Sequence, residues 1–156
     1  MTVNCSTGFR ARILGSSSFE SIFNGGCIEV YSGAQPMHAD MEPSGALVGR
    51  ITREGLAWSN GNPTNGLLFS RDGHHVTNAP TQAWVLKGQS TGTAGWARLR
   101  AVSDSGAMSS TTPRIDMALG PLEGVGDYQV RLPTLALTAS TTIPISSWWF
   151  VFPPLD

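Results

Sequence analysis

From residue 26 onward, short apolar runs alternate with clusters of turn-forming residues, and this rhythm limits the fold more than any other feature of the chain. The runs fall at 27–32, 46–53, 55–58, 66–70, 82–88, 94–102, 113–119, 126–132, 134–139 and 145–152. Turn signals punctuate them at Asn60-Gly61-Asn62-Pro63, Asp72-Gly73, Ser105-Gly106 and Gly124-Val125-Gly126. Many short strands at this spacing predict an all-β domain, a β-sandwich of Ig-like or jelly-roll-like type. Composition agrees. Charged residues make up 13% of the chain, about half the usual share, and Gly (18) and Pro (10) are abundant. Exposed helices depend on Glu, Lys, Arg and Ala, so such a chain does not easily make a helical bundle. A chain of 156 residues suits one domain and buries a normal core without metal or disulfide staples.

The first 25 residues read differently. Phe9, Ile13 and Leu14 recur at helical spacing behind a cap at Ser6–Thr7, and Gly15 breaks the pattern. Ser17 or Ser18 caps a second short turn, SFESIF, in which Phe19, Ile22 and Phe23 share a face before Asn24-Gly25-Gly26 ends it. The chain therefore divides into an N-terminal helical arm or lid, 1–25, and a β-sandwich domain, 26–156. As an arm, the first segment offers Phe19, Ile22 and Phe23 to a partner; as a lid, it lays them on the core.

Two strands raise the question of a partner. In AGWARLRAV (94–102), side chains alternate faces. Ala97, Leu99 and Ala101 fall on one face, and Trp96, Arg98 and Arg100 on the other. Trp with Arg is the composition of an interface hot spot, and also of a tryptophan covered by arginines through cation–π contact. In SSWWFVF (146–152), Trp148, Phe150 and Phe152 fall on one face and Trp149 and Val151 on the other. Both faces are apolar, so the strand is central or contacts another chain. Pro153-Pro154 then stops sheet pairing.

No catalytic constellation emerges. There is no Gly-x-Ser-x-Gly elbow and no phosphate or dinucleotide glycine pattern. Asp116 and Asp127 are a formal acid pair without specific support. His74-His75 are neighbours whose side chains would point apart on a strand, so they read as a surface loop, not a chelate. His38, Asp40 and Glu42 alternate along a connector that Pro36 and Pro43 already explain as stiff. The expectation is no enzyme, no cofactor and no metal. Net charge of −1 argues against a nucleic-acid partner, and no apolar run approaches the length of a membrane span. The N-terminus lacks the apolar core of a signal peptide. Cys5 and Cys27 could form a disulfide, but two free thiols better suit a protein made in a cytoplasm. Trp58, beside Ser59-Asn60-Gly61-Asn62, is the spot most suited to stacking on a sugar.

Four segments together carry a resemblance: STGFRARILGSSSFESIF (6–23), GGCIEVYSGAQPMHADMEPSGALVGRIT (25–52), GTAGWARL (92–99) and TTPRIDMALG (111–120). This order resembles a family of small proteins encoded among the virion structural genes of tailed bacteriophages and prophages. Its pattern matches at Ile28, Tyr31 to Gly33, Gln35, Pro36, Ala39, Asp40, Gly45, Leu47, Gly92 to Trp96, Arg98, Leu99 and Arg114 to Asp116. The chain departs from it at Ala97, Met117 and His74-His75. The resemblance implies a structural protein of a phage particle, a head decoration or cement subunit or a neck, collar or head–tail part. It implies partners among copies of itself and other virion proteins (major capsid protein, portal or neck proteins), localisation in the virion, and assembly in the host cytoplasm. It implies no catalytic residues. Trp96, Arg98, Arg100, Trp149, Phe19, Ile22 and Phe23 are the candidate contact residues. The alternative is a carbohydrate-binding module on the virion surface, through Trp58. On either reading the connector between the strands at 27–32 and 46–53 is a stiff surface loop open to a neighbouring subunit.

Overall fold

The computed structural model describes residues 3–151. Phe152 and Pro153-Pro154 lie outside the described residues. The strands are β1 (Asn4–Cys5), β2 (Cys27–Tyr31), β3 (Leu47–Arg53), β4 (Phe69–Asp72), β5 (His75–Asn78), β6 (Trp84–Gly88), β7 (Gly92–Thr93), β8 (Trp96–Arg100), β9 (Arg114–Pro121), β10 (Val130–Leu132), β11 (Ala136–Leu137), β12 (Thr142–Ile145) and β13 (Trp149–Val151). Two short helices, α1 (Thr7–Leu14) and α2 (Phe19–Phe23), precede β2. The fold is all-β and sandwich-like. A large sheet runs in the order β1-β9-β8-β2-β3-β6-β12, with β10 parallel to β9. A three-stranded sheet, β13-β5-β4, packs against it, and β11-β7 form a small pair.

The alternation in the sequence dictates what lies between the sheets. Ile28, Val30, Ile51, Leu86, Ala97, Leu99, Ile115 and Met117 face inward from the large sheet. Phe69, Val76, Trp148 and Phe150 meet them from the small one, and Trp84 touches Phe69 and Trp148 with ring centroids 5.2 and 5.6 Å apart. Burying such a set stabilises by roughly 1.5–3 kcal/mol per large side chain. The helices close one end. Ser6 accepts a bond from the Phe9 amide as N-cap of α1, and Ser18 forms a reciprocal capping box with Ser21 on α2. Phe9, Phe19 and Phe23 form a ring cluster continued by Phe69 and Phe150. The N-terminal segment is thus a lid on the common core, and β1 extends the large sheet by pairing with β9.

Several expectations need correction. Leu14 does not join the α1 stripe; it is exposed at the helix end. Residues 55–58 form no strand, because Glu54-Gly55 turn the chain with positive φ at both positions. His75 lies in β5 instead of a loop, and β12 and β13 replace the single strand expected at 145–152. Cys5 and Cys27 are free, as expected. They sit on β1 and β2, separated by β9 and β8, so three strand spacings of about 4.8 Å keep them beyond bridging distance. Among the described residues no helix is long and apolar enough to cross a membrane.

Candidate functional site

The outer face of the large sheet carries most of the chain's unusual chemistry, and the strand register builds it. Asp116 on β9 stands opposite Arg98 on β8, Arg98 opposite Glu29 on β2, and Glu29 opposite Arg50 on β3. Four neighbouring strands therefore present charges of alternating sign in one row. Opposite charges directly across an antiparallel pair attract, so this row fixes the register from outside as the apolar row fixes it from inside. The next row places Arg114 opposite Arg100, and this like-charge pair needs acids from elsewhere.

The bonds supply them. Arg98 donates from Nε and Nη2 to the two Asp116 oxygens at 2.6 and 2.8 Å. Arg114 grips Asp104 in the same bidentate way at 2.8 and 2.7 Å. Glu29 Oε1 accepts from Arg50 at 2.8 Å and from Arg100 at 2.7 Å, and its Oε2 accepts from the Tyr31 hydroxyl. Arg100 also donates to the Asp104 carbonyl. Arg98, Arg114, Asp104 and Asp116 have no solvent exposure, and Glu29 has almost none. Burial pushes the Asp116 carboxyl pKa up, and Arg98 and Arg114 oppose that push. Desolvation, then the Glu29 charge, raises the Tyr31 phenol far above its usual range, so it stays a donor.

Three irregular segments seal this face. The connector 33–44 lies over β8 and β9: the Met41 carbonyl accepts from Arg98 at 2.8 Å, and Arg114 Nη1 reaches the carbonyls of Ala39, Asp40 and Met41 at 3.3–3.4 Å. Asp40 ties the connector to α1, accepting from the Thr7 amide at 2.8 Å and hydroxyl at 2.7 Å. Desolvation alone would raise the Asp40 pKa; the Thr7 bonds, with Arg10 and Arg114, outweigh it and lower the pKa. The loop 103–112 hangs from Asp104 and from the Ala107 carbonyl, which Arg114 holds at 2.5 Å. The loop after β3 lays Trp58 over Arg50 and Arg100, with guanidinium carbons 5.8 and 5.3 Å from its ring.

The expected contact residues now have definite places. Trp96, Arg98 and Arg100 do share the face opposite Ala97 and Leu99, but they are buried under the chain's own loops and present no surface to a partner. Trp96 stacks on Tyr31 at 4.8 Å and donates to the Ser44 carbonyl. Phe19, Ile22 and Phe23 are buried in the core as lid residues. Trp58 is 7% exposed, its indole N–H donates to the Gly25 carbonyl, and arginines occupy its face, so no sugar can stack there. Trp149 alone of the candidates is exposed, at 60%, with its ring edge-on to His75. The connector is a surface loop whose inner side walls the network, while Met37, His38, Met41 and Glu42 are exposed on its outer side. The loop 103–113, whose Ser/Gly content suggests mobility, is pinned by Asp104. Asp127 is exposed in the loop after β9, whereas Asp116 is taken up by Arg98, so the two form no acid pair. Among the described residues no group of three or more His, Cys, Asp or Glu side chains converges as metal ligands.

Sequence reasoning missed the exposed apolar side chains Met37, Met108, Leu122 and Val125. They lie in loops, where no periodicity marks a side chain as inward or outward. Comparison with family models, with curated proteins and with solved structures returned no match.

Proposed function

We propose that this chain is a non-enzymatic structural subunit of a tailed-phage particle, acting as a head decoration or cement protein or a neck, collar or head–tail part. Its partners are copies of itself and neighbouring virion proteins. The observation that carries this reading is the character of the surface. Four arginines (Arg50, Arg98, Arg100, Arg114) and three acids (Glu29, Asp104, Asp116) sit in the covered network, out of 10 basic and 11 acidic residues in the chain. The surface is left with few charges, while Leu14, Met37, Met108, Val125 and Trp149 stand exposed with no role in the core. Loops tied to the buried ion network hold two of these side chains, Met37 and Met108, in place. Rigid apolar groups on a weakly charged surface suit a subunit packed among neighbours. The motif residues Tyr31, Ala39, Asp40, Trp96, Arg98, Arg114 and Asp116 build the frame that holds those loops.

Mass spectrometry of purified particles from the phage or induced prophage that encodes the chain tests this reading. The chain should appear at a fixed stoichiometry that survives high-salt washing. Its absence from intact particles would refute the proposal. The alternative, carbohydrate binding at the virion surface, now rests on Trp149, the one exposed tryptophan of the five. A glycan array with wild type and Trp149→Ala decides it, and retained binding in the variant rejects that site.

A further inference from the structure

Where β10, β12 and β13 diverge, the described residues do not fill the sandwich. A cavity of about 430 Å³ opens there, walled by Val130, Ile143, Trp148 and Phe150. These residues belong to the core cluster, and protein interiors rarely leave such a space beside them. Trp149 and Leu122 stand exposed at its rim. Arg131 also lines it and stacks over Tyr128 at 5.3 Å. Its guanidinium donates to the carbonyls of Gly124 and Gly126 at 2.8 and 2.6 Å, which draws the loop 122–127 to the mouth.

That loop reads LEGVGD. Val125 is fully exposed and Leu122 about half exposed, and Glu123 and Asp127 are exposed beside them. Among the described residues no carboxylate lies within ion-pair distance of Arg131, and no cation lies within that distance of Glu123 or Asp127. One patch thus holds an apolar hole, an apolar knob, an unbalanced cation and two unbalanced acids. Such a patch complements itself. In a two-fold contact the same patch serves both copies, so the knob of each meets the hole of the other.

We infer that this patch is an isologous interface with a second copy of this chain. The 122–127 loop of each copy seats Val125 in the partner's cavity, and its acids face the partner's Arg131. Trp, Tyr and Arg at the rim are the residue types that anchor interfaces. This inference rests on the self-association contained in the function proposed above and assigns that association a surface.

Sedimentation velocity on the full chain, over a range of concentrations, tests it. Wild type should show a reversible dimer. Val125→Arg and Trp149→Ser, both at exposed positions that leave the fold intact by circular dichroism, should each raise the dimer dissociation constant at least about tenfold. Met108→Ser, on a loop outside the patch, should leave it unchanged. A chain that stays monomeric at every concentration overturns the inference, even if it is found in particles, where other contacts would then account for it. An oligomer that both patch variants leave intact also overturns it, while self-assembly through another face still stands.

Discussion

Substituting Arg98 with Met removes the centre of the charge row. Arg98 is wholly buried and makes three bonds, two to Asp116 and one to the Met41 carbonyl. Met keeps most of the apolar stem beside Trp96 but leaves the Asp116 carboxylate buried without its bidentate partner. Breaking one side of a buried pair costs about 3–5 kcal/mol. In a domain of this size each kcal/mol moves the melting temperature by about 2–4 °C, so a fall of about 6–20 °C is expected. Chemical denaturation gives the free energy and calorimetry the temperature. Replacing both partners, Arg98→Met with Asp116→Leu, should recover most of the loss, because no charge is then stranded. The single variant should also lose less at low pH. Its unpaired Asp116 has a pKa above the unfolded value, so its penalty develops as pH rises between the two values and vanishes below both. A single variant costing under about 1 kcal/mol, or a double variant as unstable as the sum of the singles, would refute this account of the network.

Asp40→Ala should leave the domain folded but release α1 from the connector, costing about 1 kcal/mol and speeding amide exchange at Thr7. Because the folded pKa of Asp40 is lowered, its contact with Thr7 should hold to below the ordinary carboxylate range and fail as pH falls through that folded value. An NMR titration of the Asp40 carboxyl carbon reads this directly, and a pKa at or above the ordinary value would contradict it. Glu54 has φ of 55°, a region that costs a side-chain residue about 1–2 kcal/mol, so Glu54→Gly should stabilise slightly in denaturant melts. Gly95→Ala would place a Cβ 2.2 Å from the Gly33 carbonyl oxygen, where backbone must move, and about 1–3 kcal/mol of stability should be lost.

The inward half of the structure was legible because a core leaves a period. Ile28 and Val30, and Ala97 and Leu99, stand where alternation puts them, and the serines that cap α1 and α2 are the ones the sequence marks. The outward half was not legible. Parity places Trp96, Arg98 and Arg100 together on the far face but cannot say what covers that face. The covers come from 33–44, from Trp58 and from 103–112, segments distant in sequence and without periodicity. Asp104 sits in a Ser/Gly-rich stretch that reads as loose, and only its pairing with Arg114 and Arg100 shows the loop to be fixed. A single acid in a polar loop, set between two arginine-bearing strands, was the one available signal. The same blindness applies to Val125 and Met37, since loops carry no rule that separates a buried methionine or valine from an exposed one.

The motif arginines Arg98 and Arg114 form a sealed interior beneath the connector and the loop 103–112. Labelling the folded protein with an arginine-selective dicarbonyl, followed by peptide mass spectrometry, tests it most directly. Arg10, Arg12 and Arg71, exposed on α1 and β4, should react readily, while Arg98 and Arg114 should stay unmodified until the protein is denatured. Modification of Arg98 in the folded protein at the rate of Arg71 would contradict the claim.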